Sequence, residues 1–179
     1  MKQKLKKFLE DHRDKIQPLL ENSKFEELYN YIETEAEDFL FGYKLCSAFT
    51  EILLNSGINP LMYVDKVPDG YLYESKNVPY VFIPKNIRYI GFCAFESSNI
   101  QQVDIAEDSN LAEIASEAFT NCKNLKSITL PKSLQTVESE AFYLMDNLRV
   151  IYEGSQQEFE DLHIDEDAFG SNVKIEFKG

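Results

Sequence analysis

The sequence predicts an α+β architecture: a short solenoid with a parallel β-sheet, capped by an N-terminal helical region. Three observations predict it. The first is repetition, in IRYIGFCAFESSNIQQVDIA from Ile87, LAEIASEAFTNCKNLKSITLP from Leu111 and LQTVESEAFYLMDNLRVIYEG from Leu134. Phe95 and Phe119 stand 24 positions apart, Phe119 and Phe142 stand 23 apart, and a fixed period in that range is the mark of a solenoid. The second is a helical spacing of apolar residues through the first third of the chain. The third is physical necessity, because a stack of repeats must have its first apolar face covered.

Each repeat opens with an apolar pair three apart: Ile87 and Ile90, Leu111 and Ile114, Leu134 and Val137. An Ala-Phe step follows at Ala94-Phe95, Ala118-Phe119 and Ala141-Phe142, and a short β-like run closes the unit. Weaker copies flank the three, with Leu72-Tyr73 and Val81-Phe82-Ile83 before them and Ala168-Phe169 and Ile175-Glu176-Phe177 after them. The four rings at Phe95, Phe119, Phe142 and Phe169 are expected to be successive rungs of one coil. These anchors resemble the BspA-like leucine-rich repeat, in which apolar, small and Pro positions recur at the same offsets. The resemblance covers residues ~67–179 and implies a BspA-like leucine-rich-repeat solenoid of about 4–5 units.

Alternation in each closing run places side chains in and out by turns. Val103, Ile105, Ile128 and Leu130 are expected inside, and Ile151 with them, leaving Tyr152 outside. The outward ladder is then Phe82, Asp104, Thr129, Tyr152 and Glu176. A second row reads Tyr80, Gln102, Ser127, Val150 and Lys174, and a third Gln101, Lys126 and Arg149. Leucine-rich repeats generally bind through this face. The resemblance therefore implies a partner-binding set of Tyr80, Phe82, Gln102, Asp104, Lys126, Thr129, Arg149, Tyr152 and Glu176.

Residues 1–66 are expected to form an N-terminal helical cap, and 67–179 the solenoid. Lys2 to about Leu20 reads as one amphipathic helix with Leu5, Phe8, Leu9, Ile16 and Leu19 inward and Lys2, Lys4, Lys6 and Lys7 outward, although Pro18 weakens its last turn. Ser23-Lys24-Phe25-Glu26 fits a capping box. The helix it opens buries Phe25, Leu28, Tyr29, Ile32 and Ala36. A third helix over 39–55 is apolar through Leu45, Ala48, Phe49, Ile52 and Leu53, and Gly57 suits a left-handed stop. Asn59-Pro60 begins a short helix, Asn as cap. The linking stretch GINPLMYVDKVPDGYLYES is similar to the segment that precedes the repeats in small phage-encoded leucine-rich-repeat proteins.

Composition excludes several functions. The chain is 44% hydrophobic and 27% charged, an ordinary globular balance. No apolar run approaches the ~20 residues that span a bilayer. Acidic residues interrupt the place where a signal peptide would carry its apolar core, so a cytoplasmic location is expected, the host cytoplasm if the chain is phage-encoded. The net charge is −13, most of it in the repeat half, which repels nucleic acid and anionic membrane and favours a basic partner. Cys46, Cys93 and Cys122 form no C-x-x-C pair and read as core residues.

Candidates for chemistry are few. His12 and His163 have no Cys or Ser neighbour at a useful spacing, and no phosphate-cradling Gly loop is present. Carboxylates crowd at Glu33, Glu35, Glu37 and Asp38, and again as an acidic ridge of Glu158, Glu160, Asp161, Asp165, Glu166 and Asp167. The second cluster lies in an insert, GSQQEFEDLHIDED, that lacks the Gly and closing Glu of a calcium loop. No catalytic set, metal or cofactor is expected. The leading expectation is a non-catalytic protein-protein interaction module, phage or bacterial, that binds a protein partner. Its alternative is an acidic, anti-CRISPR-like inhibitor that mimics nucleic acid toward a host defence protein. An enzyme is the third class.

Overall fold

A computed structural model describes residues 2–36, 38–145 and 147–179. Glu37 of the first acidic segment lies outside the described residues, as does the side chain of Lys2. Helices come first: α1 (Lys2–Asp11), α2 (Arg13–Glu21), α3 (Phe25–Glu35) and α4 (Phe39–Asn55), then a 3-10 turn over Pro60–Tyr63. Ten short strands follow, all paired in parallel. They are β1 (Lys66–Val67), β2 (Tyr80–Ile83), β3 (Tyr89–Ile90), β4 (Gln102–Ile105), β5 (Glu113–Ile114), β6 (Ser127–Leu130), β7 (Thr136–Val137), β8 (Arg149–Tyr152), β9 (His163–Ile164) and β10 (Lys174–Phe177). One helical turn, α5 (Gln156–Glu160), separates β8 from β9.

The strands alternate between two sides of a coil. Two-residue strands stack in the order β1-β3-β5-β7-β9, while the four-residue strands form the ladders β2-β4 and β6-β8-β10. The apolar pair that opens each repeat thus ends in a strand of its own, too short for alternation to reveal.

Between the two sides runs the Phe column. Phe95 stacks on Phe119 with ring centroids 4.8 Å apart, Phe119 on Phe142 at 5.1 Å and Phe142 on Phe169 at 5.2 Å, all within 8° of parallel. The first three rings are fully buried, and Phe169 is partly so. Each rung is also tied by its backbone. The N–H of Phe95 donates to the carbonyl of Ala118 (2.8 Å), that of Phe119 to Ala141 (2.8 Å) and that of Phe142 to Ala168 (2.7 Å). The alanines are buried without exposed surface. A larger side chain there would hold the neighbouring coil away from these bonds.

The same turns bend through left-handed backbone at fixed places. Cys93 and Ser97 flank Phe95, Glu117 and Asn121 flank Phe119, and Glu140 and Leu144 flank Phe142, all with φ between 51° and 59°. Non-glycine residues rarely adopt this region, at a cost of about 1–2 kcal/mol each. Six of them in register mean that the inter-coil bonds and the buried ring outweigh the local strain.

The helical region closes the first coil. The Phe column continues through Tyr71, edge-on to Phe95 at 5.9 Å, to Tyr29 of α3 at 6.2 Å. The Tyr29 hydroxyl bonds Thr50 Oγ1 of α4 at 2.9 Å. Glu51 of α4 accepts from Ser75 Oγ at 2.5 Å and from Asn77 Nδ2 at 3.2 Å. One hydrophobic core therefore runs without a break from Phe8 to Ala168.

Three local expectations are corrected. The span expected as one helix bends at His12, whose Nδ1 lies 2.6 Å from the Tyr31 hydroxyl and whose ring stacks on Phe8. Anchoring His12 to α3 turns α1 and α2 apart, so that Phe8 and Ile16 both reach the core. The capping box does not form at Ser23. With φ of 54°, Ser23 closes α2 through bonds from Ser23 N to Leu20 O and from Lys24 N to Leu19 O. Only three residues join the helices, and Ser23 serves the end of one instead of the start of the next. Ile52 is exposed, pushed off the buried stripe of Leu45, Phe49 and Leu53. Elsewhere α4 spans the expected residues, Gly57 (φ 80°) stops it, and the Asn59 side chain caps the 3-10 turn.

If the stacked rings set the stability of the coil, Phe119→Ala should destabilise the chain by about 3–5 kcal/mol. Urea unfolding followed by circular dichroism checks this, and a loss under about 1 kcal/mol would contradict the stack's role.

Candidate partner-binding face

Pairing fixes which side chains share the outward face. Tyr80 lies beside Gln102 and Phe82 beside Asp104. Farther along, Ser127, Arg149 and Lys174 form one row, and Thr129, Ile151 and Glu176 the next. Between β4 and β6 no ladder forms, so the face has two parts.

Tyr152 does not belong to it. Its side chain is only 2% exposed, and its ring packs edge-on against Phe159 of α5 at 5.3 Å. Ile151 holds the outward place, and Val150 is buried where the second row expected it outside. One missing residue causes the change. Leu125 and Ile128, both buried, are three apart, whereas Leu148 and Val150 are two apart. A slip of one residue sends every side chain of a strand to the opposite face. The third row fails for the same reason, since Arg149 pairs with Ser127 and not with Lys126. Lys126 sits at the strand entry with Nζ donating to the Lys123 carbonyl at 2.7 Å.

The two parts differ in chemistry. On β6, β8 and β10 the charges answer one another, with Arg149 and Glu176 at 3.9 Å, both well exposed and so weakly coupled. On β2 and β4, Gln102 Nε2 donates to both Asp104 oxygens at 2.9 Å. Burial, followed by the Asp104 carboxylate, pushes the Tyr80 phenol above the ordinary value. Tyr80 and Phe82 nevertheless remain 47% and 37% exposed. Asn59 Nδ2 donates to the Phe82 carbonyl at 2.9 Å, which ties the 3-10 segment to β2. Around that tie Ile58, Met62 and Tyr63 are exposed, and the Tyr63 ring lies 5.2 Å from Phe25 of α3. The sequence reading missed these three. Their signal was apolar residues around Asn59-Pro60 with no place on a helical stripe.

The acidic ridge is divided among local tasks. Glu158 completes a capping box with Ser155 on α5, and the Ser155 amide and hydroxyl hold its carboxyl below the usual range. Glu160 accepts from Gln156, Asp161 from Gln157, and Asp167 from Ser139 Oγ. Asp165 is half-buried and Glu166 is exposed.

The cysteines are free and buried. Burial pushes the Cys122 thiol up to about 12. It likewise raises Cys46 and Cys93, the latter pushed further by Glu96 and Glu117. Cys93, Glu96 and Glu117 bring three possible metal ligands within 4.8 Å of one another, one such cluster among the described residues. Burial and the two carboxylates favour the protonated thiol, which opposes nucleophilic chemistry. His12 is committed to Tyr31 and Phe8, and the His163 side chain is exposed on β9. Among the described residues no helix is long and apolar enough to cross a membrane.

Comparison with known proteins agrees with this geometry. A family model described as the BspA type leucine rich repeat region matches residues 43–176 in six copies. No curated protein and no solved structure matches the chain. Repeats of this kind are generally protein-interaction modules.

The buried thiols give a direct check: Ellman's reagent at pH 8 should leave Cys46, Cys93 and Cys122 unmodified in the folded chain and label all three in denaturant. Rapid labelling of Cys93 without denaturant would show an accessible thiolate and reopen the chemistry of its cluster.

Proposed function

Because the chain belongs to the BspA-type leucine-rich-repeat family, we propose that it is a non-catalytic module that binds a protein partner through the outward face of its sheet. The observation that carries this reading is the exposed pair Tyr80 and Phe82, held on a rigid ladder to which Asn59 ties the 3-10 segment. Aromatic side chains on a preorganised surface supply most of the affinity in protein interfaces and lose little entropy on binding. Gln102 and Asp104 give polar direction next to them, while Thr129, Ile151, Arg149 and Glu176 extend the contact along the coil. Lys126 lies at its margin.

Immobilised chain, incubated with bacterial lysate with and without nuclease, identifies the partner. Phe82→Ala and Tyr80→Ala should each weaken that partner's binding about ten-fold or more, the usual loss for a central aromatic. Tyr152→Phe, a change inside the coil, should leave binding unaltered. A partner held equally by the Phe82 and Tyr80 variants overturns the sheet-face reading. Release by about 0.5 M salt together with loss on Glu166→Lys and Asp167→Lys would instead favour the acidic inhibitor, whose contacts are charge pairs.

A further inference from the structure

A recess of about 180 Å³ lies where α3 and α4 meet the first coil. Its buried floor is Ile32, Gly42, Cys46 and Pro68, and the rings of Phe39 and Tyr43 stand beside it. Those rings are edge-on at 5.9 Å, and Phe39 is 67% exposed, an apolar ring left in water. Among the described residues, three carboxylates line the same recess, Glu33, Asp38 and Asp69, against one cation, Lys66. Asp38 and Asp69 each commit one oxygen to a backbone amide, of Phe41 at 2.8 Å and Phe92 at 3.0 Å. Each keeps a second oxygen for a ligand. Behind the wall, Tyr71 is fully buried with a hydroxyl that has no partner, its ring 6.2 Å from Tyr29, which lines the recess.

Excess negative charge in a concave, partly apolar site concentrates cations, and aromatic faces at its mouth favour a cation that also carries apolar surface. We propose that this recess is a binding site for a small amphipathic organic cation, an apolar body with an ammonium or guanidinium head. The apolar body lies on the floor formed by Ile32, Gly42 and Pro68. The head meets Asp69, Asp38 and Glu33 and stacks against Phe39 or Tyr43. Burial, then Asp69, push the Cys46 thiol and the Tyr43 phenol upward, and burial also raises the Asp69 carboxyl against the Phe92 amide and Lys66, which lower it. The site is separate from the sheet face, so it stands whether or not that face binds a partner.

Titration of the whole chain with 2-phenylethylamine, followed by amide NMR, tests the assignment. The amine should shift the amides of Gly42, Tyr43 and Asp69 and raise the unfolding midpoint. The uncharged isostere 2-phenylethanol should bind about ten-fold more weakly. Asp69→Asn keeps an acceptor for the Phe92 amide and removes the charge, and it should weaken the amine about five-fold or more. Glu33→Gln, at an exposed position, should weaken it about two-fold and decides the matter if Asp69→Asn fails to fold. Acetyl-arginine amide distinguishes the sources: tighter binding than the amine assigns the site to an arginine of a partner, weaker binding to a free amine. Equal binding of 2-phenylethanol, tighter binding of phenylacetate through Lys66, or no shift by about 10 mM amine overturns the proposal.

Discussion

Everything in this chain defers to the stacking of one phenylalanine per coil. Parallel rings about 5 Å apart fix the rise between coils close to the spacing of hydrogen-bonded strands, so one distance satisfies both the core and the backbone. The alanine before each ring follows from that distance, because its carbonyl must receive the amide of the neighbouring rung. The left-handed residues two positions to either side follow as well: they turn the chain around the ring tightly enough for the next rung to form. Cys93, Glu117 and Glu140 occupy one such position, where Gly70 stands in the opening coil. Side-chain identity is loose there because the requirement falls on the backbone.

A column of this kind has ends, and how the first is closed shapes the surface. Leu72 takes the place of a phenylalanine, its amide bonded to the Ala94 carbonyl, and Tyr71 turns the stack edge-on toward Tyr29. The edge-on step breaks the translational repeat. It lets helices pack on the coil, which a continued face-to-face stack would not. Glu51 then reaches from α4 to Ser75 and Asn77, and Lys44 to Glu74 at 3.2 Å. Polar bonds at the margin orient what the aromatic contact holds.

The sequence revealed the parts of this design that are written as spacing. Phe95, Phe119, Phe142 and Phe169 recur at a nearly fixed interval, and α4 announces itself through its apolar stripe and Gly57. What it concealed was decided by neighbours. The repeats align best on Leu125 and Leu148, yet the strand after Leu148 starts one residue sooner, and that single deletion exchanged Tyr152 for Ile151 on the binding face. The strands Tyr89–Ile90, Glu113–Ile114 and Thr136–Val137 are two residues long, below the length at which alternation can be read. Ser155-Gln156-Gln157-Glu158 and Ser23-Lys24-Phe25-Glu26 carry the same capping pattern. Only the first forms a box, because Ser155 follows extended chain whereas Ser23 is already occupied in ending α2.

Repetition also explains where recognition is to be sought. A residue inside a regular coil answers to its copies above and below. Arg149 meets Glu176 of the next coil, Gln102 is taken up by Asp104 of its own strand, and little polar capacity is left over. At the junction with the helices no copy exists on one side, and side chains there are released from the period. Tyr80 and Phe82 stand exposed on the first ladder, where Asn59 ties the 3-10 turn to the Phe82 carbonyl, and Phe39 stands at the recess where α3 and α4 meet the first coil. The large exposed aromatics of the sheet face and of the recess thus fall where the stack is terminated. Closing the solenoid leaves surface that stability does not dictate, and that surface is free to serve a ligand.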